Sequence, residues 1–238
     1  MEEKLQTKKT FGLSRNFIKG LAIVAMLLNH IANALLTPQS PWYELFLDIG
    51  YFTAVTMCYF LVEGYYYTHD RKKYAQRLLL FGLVSQIPYC MAFGVVQLNM
   101  MFTLLVCFGI VWVIDREPSG GKKAVLLTLL VMASTFMDWA LLAPLFTILF
   151  ALNRGDRRGQ AQSFGAAALL FFGFNLMSGQ GIVGAVCASL GIIVSGYVIL
   201  LFYNGQKGKH SNVFSKWFFY LFYPVHLLIL GLLLMMLF

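Results

Sequence analysis

A histidine stands in the middle of the first long apolar stretch of the chain. His30 lies in the run KGLAIVAMLLNHIAN, and ten residues separate it from Lys19. At a helical rise of about 1.5 Å per residue, the imidazole lies roughly 16 Å beyond the lysine, near the middle of a bilayer's hydrocarbon core. Ionisable side chains at that depth usually face a bundle interior or a cavity, and imidazole can act as a general base near neutral pH. His30 is therefore the first candidate for chemistry.

Three further polar side chains are predicted at a similar depth on other helices. Counted from the nearest basic residue, His226, Glu63 and Gln86 lie roughly 15, 12 and 13 Å into the membrane. Each side chain also has a purely structural interpretation. His226 can be a hydrogen-bonded histidine, Glu63 a paired acid, and Gln86 a hydrogen-bond partner for backbone groups that the helix leaves unpaired. Together they predict a polar layer in which Glu63 or His226 orients His30. Gln86 or Tyr223 would then donate a hydrogen bond to a developing oxyanion.

Basic residues surround the predicted cytoplasmic mouth below this layer, among them Arg15, Lys19, Arg71 and Arg77. Such charge can be a topology signal alone, because cytoplasmic loops of membrane proteins are rich in Lys and Arg. Lys19 and Arg77 differ, since each lies at a helix end directly below a mid-membrane polar residue. A basic mouth leading to a central histidine suits a phosphorylated donor that threads its reactive end inward. Acetyl-CoA has that shape, with an anionic nucleotide, a long neutral arm and a thioester at the tip.

The composition is that of a polytopic membrane protein. Of the 238 residues, 59% are hydrophobic and 12% charged, and the mean hydropathy is +0.72, values that exclude an ordinary soluble domain. The net charge of +8 falls in short clusters between apolar runs, so we predict no nucleic-acid partner. The four cysteines lie inside apolar segments without a CxxC spacing, so we predict neither a disulfide framework nor a metal site.

Nine apolar runs follow a polar tail at residues 1–17, and they predict an all-α domain of about nine transmembrane helices over residues 18–238. The runs cover residues 18–36, 43–67, 75–94, 98–115, 123–137, 139–153, 161–177, 181–203 and 213–238. All 18 Lys and Arg residues fall in alternate connections when each cluster is taken with its helix-end residues. The positive-inside rule then places the N-terminus in the cytoplasm and the C-terminus outside, in a bacterial cytoplasmic membrane. Several runs are short for a full crossing, and the pairs 123–137/139–153 and 161–177/181–203 have the weakest boundaries.

Several stretches together carry a resemblance to a known family. They are Lys19 to Ile31, FLVEGY at 60–65, RLLLFGLVSQIP at 77–88, LNMMFTL at 98–104, Asp138-Trp139, YNG at 203–205 and YLFYPVH at 220–226. With them the chain resembles the TraX family, membrane proteins linked to N-acetylation of conjugative pilin. More distantly it is similar to the wider class of integral-membrane acyltransferases that act on cell-surface sugars and glycosaminoglycans.

The resemblance implies transfer of an acetyl group from acetyl-CoA to an amine or hydroxyl acceptor, such as the N-terminus of a pilin-like protein or a surface glycan. His30 matches the essential histidine of the wider class, and Lys19 matches its basic partner. Asn29 stands where family members often have Asp, so a carboxylate that could orient the imidazole is absent there. Asp138 and Trp139, between two short runs, are candidates for an acceptor entrance.

Two other functions fit the same residues. A proton-coupled transporter would use His30, Glu63 and His226 as a relay, although no inverted repeat or matched pair of broken helices supports it. A non-catalytic pilus-assembly factor would tolerate replacement of the whole polar layer. The acceptor, the acyl length and the oligomeric state stay open in the sequence.

Overall fold

The chain is built from nine α-helices within the part that the computed structural model describes, residues 12–208 and 213–237. They are α1 (Arg15–Leu35), α2 (Pro41–Tyr67), α3 (Arg71–Phe93), α4 (Met100–Arg116), α5 (Gly121–Ala133), α6 (Leu142–Leu152), α7 (Arg157–Met177), α8 (Gly181–Tyr197) and α9 (Val213–Leu237). A 3₁₀ turn, Ser134–Phe136, follows α5, and a π-helical turn, Val198–Phe202, extends α8. Each predicted apolar run corresponds to one helix, although several helices begin a few residues before their run, so the all-helical class is confirmed. Residues 1–11 of the predicted tail lie outside the described residues.

Local sequence signals account for the helix ends. The Ser14 hydroxyl accepts a hydrogen bond from the Phe17 N–H, so α1 begins at Arg15, three residues before the predicted run. Asp70 caps α3 in the same way through the Lys73 N–H, a contact that holds the pKa of the Asp70 carboxyl below its usual range. Gly94 ends α3 in the left-handed conformation at φ +64°.

The second helix is the centre of the bundle. One side of α2 packs on α1, and its other faces pack on α4, α6 and α8. Small residues permit the closest of these approaches. A Cβ on Gly50 would overlap the Asn29 side chain of α1, and one on Gly191 of α8 would lie 2.6 Å from the Asp48 carbonyl oxygen. The helices α3 and α9 pack on each other beside this core.

Four helices of the described chain are long and apolar enough to cross a membrane: α1, α2, α8 with its π-helical turn, and the part of α9 from Trp217 onward. The helices α5 and α6 are too short, at 13 and 11 residues, because about 20 residues are needed to span the hydrocarbon core. The structure thus supports a membrane protein, and the count of nine spans stays a prediction.

Two irregular segments meet beside α4. The α3–α4 connection pairs with the break between α5 and α6, where the Leu98 N–H donates to the Phe136 carbonyl and the Asp138 N–H donates to the Leu98 carbonyl. The Thr103 hydroxyl donates to the Asp138 carbonyl at 2.6 Å. These bonds satisfy backbone groups that an apolar interior would otherwise leave unpaired, and they place Asp138 and Trp139 beside α4.

A second pairing closes the opposite end of the bundle. The chain before α1 runs parallel to the segment after the π-helical turn, with hydrogen bonds from the Leu13 N–H to the Phe202 carbonyl and from the Arg15 N–H to the Gln206 carbonyl. The YNG stretch at 203–205 lies in this pairing. This pairing brings Lys207 to the same end of the bundle as Lys19, although the two residues are 188 positions apart in the sequence.

Candidate functional site

A cavity of about 320 Å³ lies among α1, α2, α3, α4 and α9, and His30 forms part of its wall. Its lining is basic at one end, where the side chains of Arg15, Lys19, Arg77 and Lys207 contribute; we call this the basic end. At the other end the lining contains His30, Tyr223, Asp138 and Trp139; we call this the histidine end. The predicted path from basic residues to a central histidine is therefore present as a cavity.

The register of α1 against α2 shows how far apart the two ends are. The Thr53 hydroxyl donates to the Ala22 carbonyl at 2.7 Å, and the Asn29 amide donates to the Leu47 carbonyl at 3.2 Å. The Trp139 ring meets Tyr51 of α2, so it lies level with Asn29. Lys19 is ten residues from Asn29 along α1, which puts roughly 15 Å between the ends.

The two predicted mid-membrane histidines are in direct contact. His30 Nδ1 and His226 Nε2 lie 2.7 Å apart, and the rings stack with an interplanar angle of 11°. The side chains come from α1 and α9, and both histidines are buried, at 9% and 5% exposure. His30 lines the cavity, whereas His226 lies behind it. Of the two orienting partners that the sequence left open, the structure brings His226 to His30.

The backbone of α9 determines which nitrogens of the two rings carry protons. His226 Nδ1 lies 2.7 Å from the Phe222 carbonyl oxygen, which can only accept, so His226 Nδ1 donates. In a neutral ring His226 Nε2 then has a lone pair and accepts from His30 Nδ1–H. His30 Nε2 is left unprotonated, with no hydrogen bond to another described residue. This is the tautomer that a general base needs.

Tyr223, for which the sequence predicts the role of an oxyanion donor, lies one turn before His226 and lines the cavity with His30. Its ring centroid is 6.3 Å from that of His30, and its hydroxyl oxygen accepts from the Met100 N–H at 3.3 Å. That bond uses a lone pair of the oxygen and leaves the hydroxyl proton available for donation. Pro224, which follows Tyr223 in α9, has no N–H and so cannot donate the usual α-helical hydrogen bond to the Tyr220 carbonyl.

The basic end contains cations whose contacts are with aromatic rings. Lys19 Nζ lies 5.6 Å from the Phe219 ring centroid and 6.0 Å from that of Phe60. The Arg77 guanidinium lies over Tyr74 and Tyr220, and its Nε is buried without a hydrogen-bond partner. No described carboxylate forms an ion pair with Lys19, Arg77 or Lys207. These cations are free to bind an anionic group, and aromatic contacts hold two of them in place.

Arg15 and Glu63 form an ion pair away from the histidines. Arg15 Nη2 lies 2.7 Å from Glu63 Oε2, and the Tyr203 hydroxyl donates to the same carboxylate at 2.8 Å. Glu63 is ten residues beyond Thr53 on α2, whereas His30 is eight residues beyond Ala22 in the opposite direction. The two side chains are therefore roughly 27 Å apart along the helix pair.

This register corrects the predicted polar layer. Glu63 lies at the basic end and cannot orient His30. It also neutralises Arg15, which leaves that residue less suited than Lys19 to bind a donor phosphate.

Gln86 and Arg71 have partners elsewhere. The Gln86 side chain accepts from the Asn99 backbone and side-chain N–H groups and donates to the Gln97 carbonyl, so it holds the α3–α4 connection. Arg71 pairs with Asp115 at 2.9 Å and stacks over Tyr65. Neither residue lines the cavity. Their predicted roles at the oxyanion and at the donor are not supported by these positions.

Lys207 is a basic residue of the cavity lining that the sequence analysis did not place there. It belongs to the connection between α8 and α9, and only the pairing with the chain before α1 brings it to the cavity. The YNG stretch next to it was the one available signal.

Among the described residues, no group of three or more His, Cys, Asp or Glu side chains could hold a metal ion.

Asn29 points away from His30. Its amide donates to the Leu47 carbonyl, and the side chain packs against Gly50. The residue next to His30 in sequence therefore fixes the α1–α2 contact. The imidazole obtains its orienting partner from α9 instead.

Comparisons with known proteins agree with the resemblance seen in the motifs. The family model described as TraX protein matches residues 14–234. A relative from Dichelobacter nodosus, "Probable fimbrial assembly protein FimC, serogroup H1", is 32% identical over 231 residues, which are 90% of this chain and 92% of the relative. No solved structure matches the chain. The matched residues include both histidines, Tyr223 and every basic residue of the cavity. The chain therefore belongs to the TraX family.

Proposed function

We propose that the protein is an acyltransferase that moves an acetyl group from acetyl-CoA to an amine or hydroxyl of an exported acceptor, either a pilin-like protein or a surface glycan. The observation that carries the proposal is the His30–His226 contact at the end of a cavity whose other end is basic. Donor phosphates would bind near Lys19, Arg77 and Lys207. The thioester would then extend along α1 toward His30.

The transfer itself uses the tautomer that the α9 backbone selects. The acceptor nitrogen or oxygen attacks the thioester carbonyl carbon, so that a C–N or C–O bond forms and the C–S bond breaks. His30 Nε2 takes the proton from the attacking atom and returns it to the departing CoA sulfur, and no proton is consumed. Tyr223 donates a hydrogen bond to the oxyanion while the carbon is tetrahedral. His226 accepts from His30 Nδ1 and stabilises the imidazolium that forms in between.

The proposal includes a topology, with the basic end of the cavity on the cytoplasmic side of a bacterial inner membrane and the C-terminus outside. It follows from the alternation of the 18 Lys and Arg residues. We expect an impermeant thiol reagent, added to intact cells, to label single cysteines placed at Gln39 or Ser178. It should leave cysteines at Lys72 and Arg157 unlabelled. Labelling at Lys72 would contradict this orientation.

The test of the activity uses both cells and purified protein. Surface proteins and glycans from cells with and without the gene are compared by mass spectrometry for an added mass of one acetyl group. The purified protein is then incubated in lipid vesicles with isotopically labelled acetyl-CoA and the acceptor so identified. We expect the label to appear on the acceptor. Acceptors with identical acetylation in both strains would refute the proposal.

A second candidate function is non-catalytic pilus assembly, and the observation that favours it is the similarity to the fimbrial assembly protein of Dichelobacter nodosus. An assembly factor would not need the buried tautomer at His30. Replacement of both His30 and His226 by Phe would then leave pilus number unchanged in electron micrographs. If the chain is an acyltransferase, the same double variant loses acetylation, whether or not pili still form.

A further inference from the structure

A second cavity, of about 290 Å³, lies where the C-terminal ends of α2 and α6 meet the start of α7. It lies on another face of α2 from the cavity that His30 lines. The residues of α2 that line the second cavity are Tyr59, Val62, Glu63 and Tyr67, and of these Tyr67 alone also lines the first. Small-ligand sites usually measure about 300–1,000 Å³, so the second cavity can hold a compact polar group.

Arg154 supplies the positive charge of this second lining. Its guanidinium carbon lies 3.9 Å from the centroid of the Tyr66 ring, a contact that holds the cation in place and leaves its N–H groups available. Arg154 forms no ion pair with a described carboxylate. The carboxylate of Asp156, two residues later, accepts instead from the first backbone N–H groups of α7, at 2.9 and 3.0 Å. Arg154 is thus a positioned cation without an anion.

Glu63 is the other charged residue of the second lining, and its charge is already balanced. Arg15 Nη2, on the side of the first cavity, lies 2.7 Å from Glu63 Oε2. Counted with Arg15, the lining keeps one net positive charge, at Arg154, and a ligand with one negative charge would neutralise it. A guanidinium binds two oxygens of a phosphate at once, a geometry that the fork of N–H groups favours.

The remaining polar groups of the second cavity are suited to hydroxyls. The Gln160 carbonyl oxygen accepts from the Tyr59 hydroxyl at 3.3 Å, and its amide N–H groups donate to no described residue. The Glu63 carboxylate accepts from Arg15 and Tyr203 and still has lone pairs that can accept from a ligand. A ligand that fits has one negative charge and hydroxyl groups close to it.

The second cavity also lies at the depth of lipid headgroups. Tyr66, Tyr67 and Arg154 stand at or just beyond the ends of their helices, and Tyr and Arg are typical of such places at a membrane interface. Leu152, two residues before Arg154, is 62% exposed. In a membrane protein an apolar residue so exposed contacts lipid tails, and Arg154 therefore lies where the tails end and the phosphates begin.

We propose that the second cavity binds the headgroup of an anionic phospholipid that carries hydroxyls, with the phosphate on Arg154 and the hydroxyls on Gln160 and Glu63. Phosphatidylglycerol has this chemistry, one phosphodiester charge followed by a glycerol. The site lies outside the cavity assigned to acetyl transfer and does not depend on that activity. Under the proposed topology it takes its lipid from the cytoplasmic leaflet.

The test is native mass spectrometry of the purified protein in detergent, titrated with phosphatidylglycerol or with phosphatidylcholine of the same acyl chains. We expect the wild type to retain one phosphatidylglycerol at least 10-fold more tightly than phosphatidylcholine. Arg154→Gln should weaken phosphatidylglycerol binding about 10- to 100-fold, because a charge-assisted contact is lost. Arg158→Gln removes an exposed arginine of the same connection outside the cavity and should leave the affinity unchanged.

A second variant and a soluble ligand complete the test. Arg154→Lys keeps the charge without the fork of N–H groups, so its affinity should fall between those of wild type and Arg154→Gln. Thermal unfolding without added lipid should be the same in all four proteins, which shows that they are folded. Equal affinity for phosphatidylglycerol in wild type and Arg154→Gln, or for the two lipids in the wild type, would overturn the site. Free glycerol phosphate bound as tightly as phosphatidylglycerol would replace the lipid with a soluble phosphate ester.

Discussion

The basic end and the histidine end of the cavity are built by different physical means. At the basic end, Lys19 and Arg77 lie within the first two turns of α1 and α3 among aromatic rings, and their charges have no described carboxylate partner. At the histidine end, His30 and His226 are joined by a hydrogen bond within 2.7 Å, and the backbone of α9 orients the pair. One end presents charge that a ligand can neutralise. The other presents a base whose protonation state is selected by its neighbours.

This difference assigns separate tasks to the two ends. Unpaired cations held by aromatic contacts bind an anion of variable position, because the attraction is not strongly directional. A histidine oriented through a second ring has one nitrogen in one direction, which suits proton transfer to a single atom. Variants at the basic end should therefore change donor affinity, and variants at the histidine end should change the rate of transfer.

The largest effect is expected at His30. His30→Ala should lower the transfer rate roughly 10²- to 10⁴-fold, because the general base is lost, and CoA affinity measured by calorimetry should stay almost unchanged. His69→Ala, at an exposed histidine outside the cavity, is the matched control. Transfer at the wild-type rate by His30→Ala would remove the histidine from the mechanism and end the division of tasks.

A variant of His226 tests whether this residue acts through His30. His226→Ala removes the acceptor for His30 Nδ1 and should lower transfer by a smaller factor, about 10- to 100-fold. Because the two residues act as one unit, the double variant should be no slower than His30→Ala alone. Additive losses measured in the double variant would show that His226 acts independently of His30.

Glu63→Ala tests whether this acid belongs to the basic end. The variant leaves the Arg15 guanidinium buried without its carboxylate, and the free energy of unfolding should fall by about 3–5 kcal/mol, as measured by denaturation in detergent. Glu63→Gln, which keeps a hydrogen-bond acceptor for Tyr203, should lose less. The folded fraction of either variant should transfer acetyl groups with an unchanged pH profile. A shifted profile would link Glu63 to His30 despite the distance between them.

Lys19→Ala tests the donor side of the comparison. If the ammonium contacts a phosphate directly, CoA binding by calorimetry should weaken by about 1.5–3 kcal/mol, with little change in the transfer rate at saturating donor. Lys72→Ala removes an exposed lysine outside the cavity and serves as the control. Equal CoA affinity in wild type and Lys19→Ala would leave the basic end without a function in donor binding.

The smallest effect is expected at Asn29, where the chain departs from its family. The ionised carboxylate in Asn29→Asp cannot donate to the Leu47 carbonyl, so this variant should lower the free energy of unfolding by about 1 kcal/mol. The pH-rate profile should not move, because the side chain packs on Gly50 and not on His30. Asn33→Asp, one turn later, removes the hydrogen bonds that the Asn33 amide donates to the Asn29 carbonyl and side-chain oxygens, and because these bonds are exposed it should lower the free energy of unfolding by less than Asn29→Asp does. A shift of the acidic limb in Asn29→Asp alone would show that the carboxylate reaches the imidazole.

The amino-acid sequence by itself determined the helices and the importance of the first histidine. Apolar runs, N-caps such as Ser14 and Asp70, and the C-terminal Gly94 are local signals, and each acts within a few residues of the helix end that it specifies. His30 could be found in the same way, because its depth was counted along a single helix from Lys19. The motif around Tyr223 and His226 also lies within one helix, and its predicted depth matched that of His30.

The tertiary structure alone decided which polar groups meet. Depths counted from the nearest charges assume that those charges lie in one plane and that every helix begins at the same level. The contacts of Asn29 with Gly50 and Leu47 set the α1–α2 register and bring Glu63 to Arg15, far from His30. The irregular segments depend in the same way on pairings between distant parts of the chain, which bring Asp138 and Lys207 to the cavity. Such pairings are set by side-chain packing between helices, and no spacing within one helix encodes them.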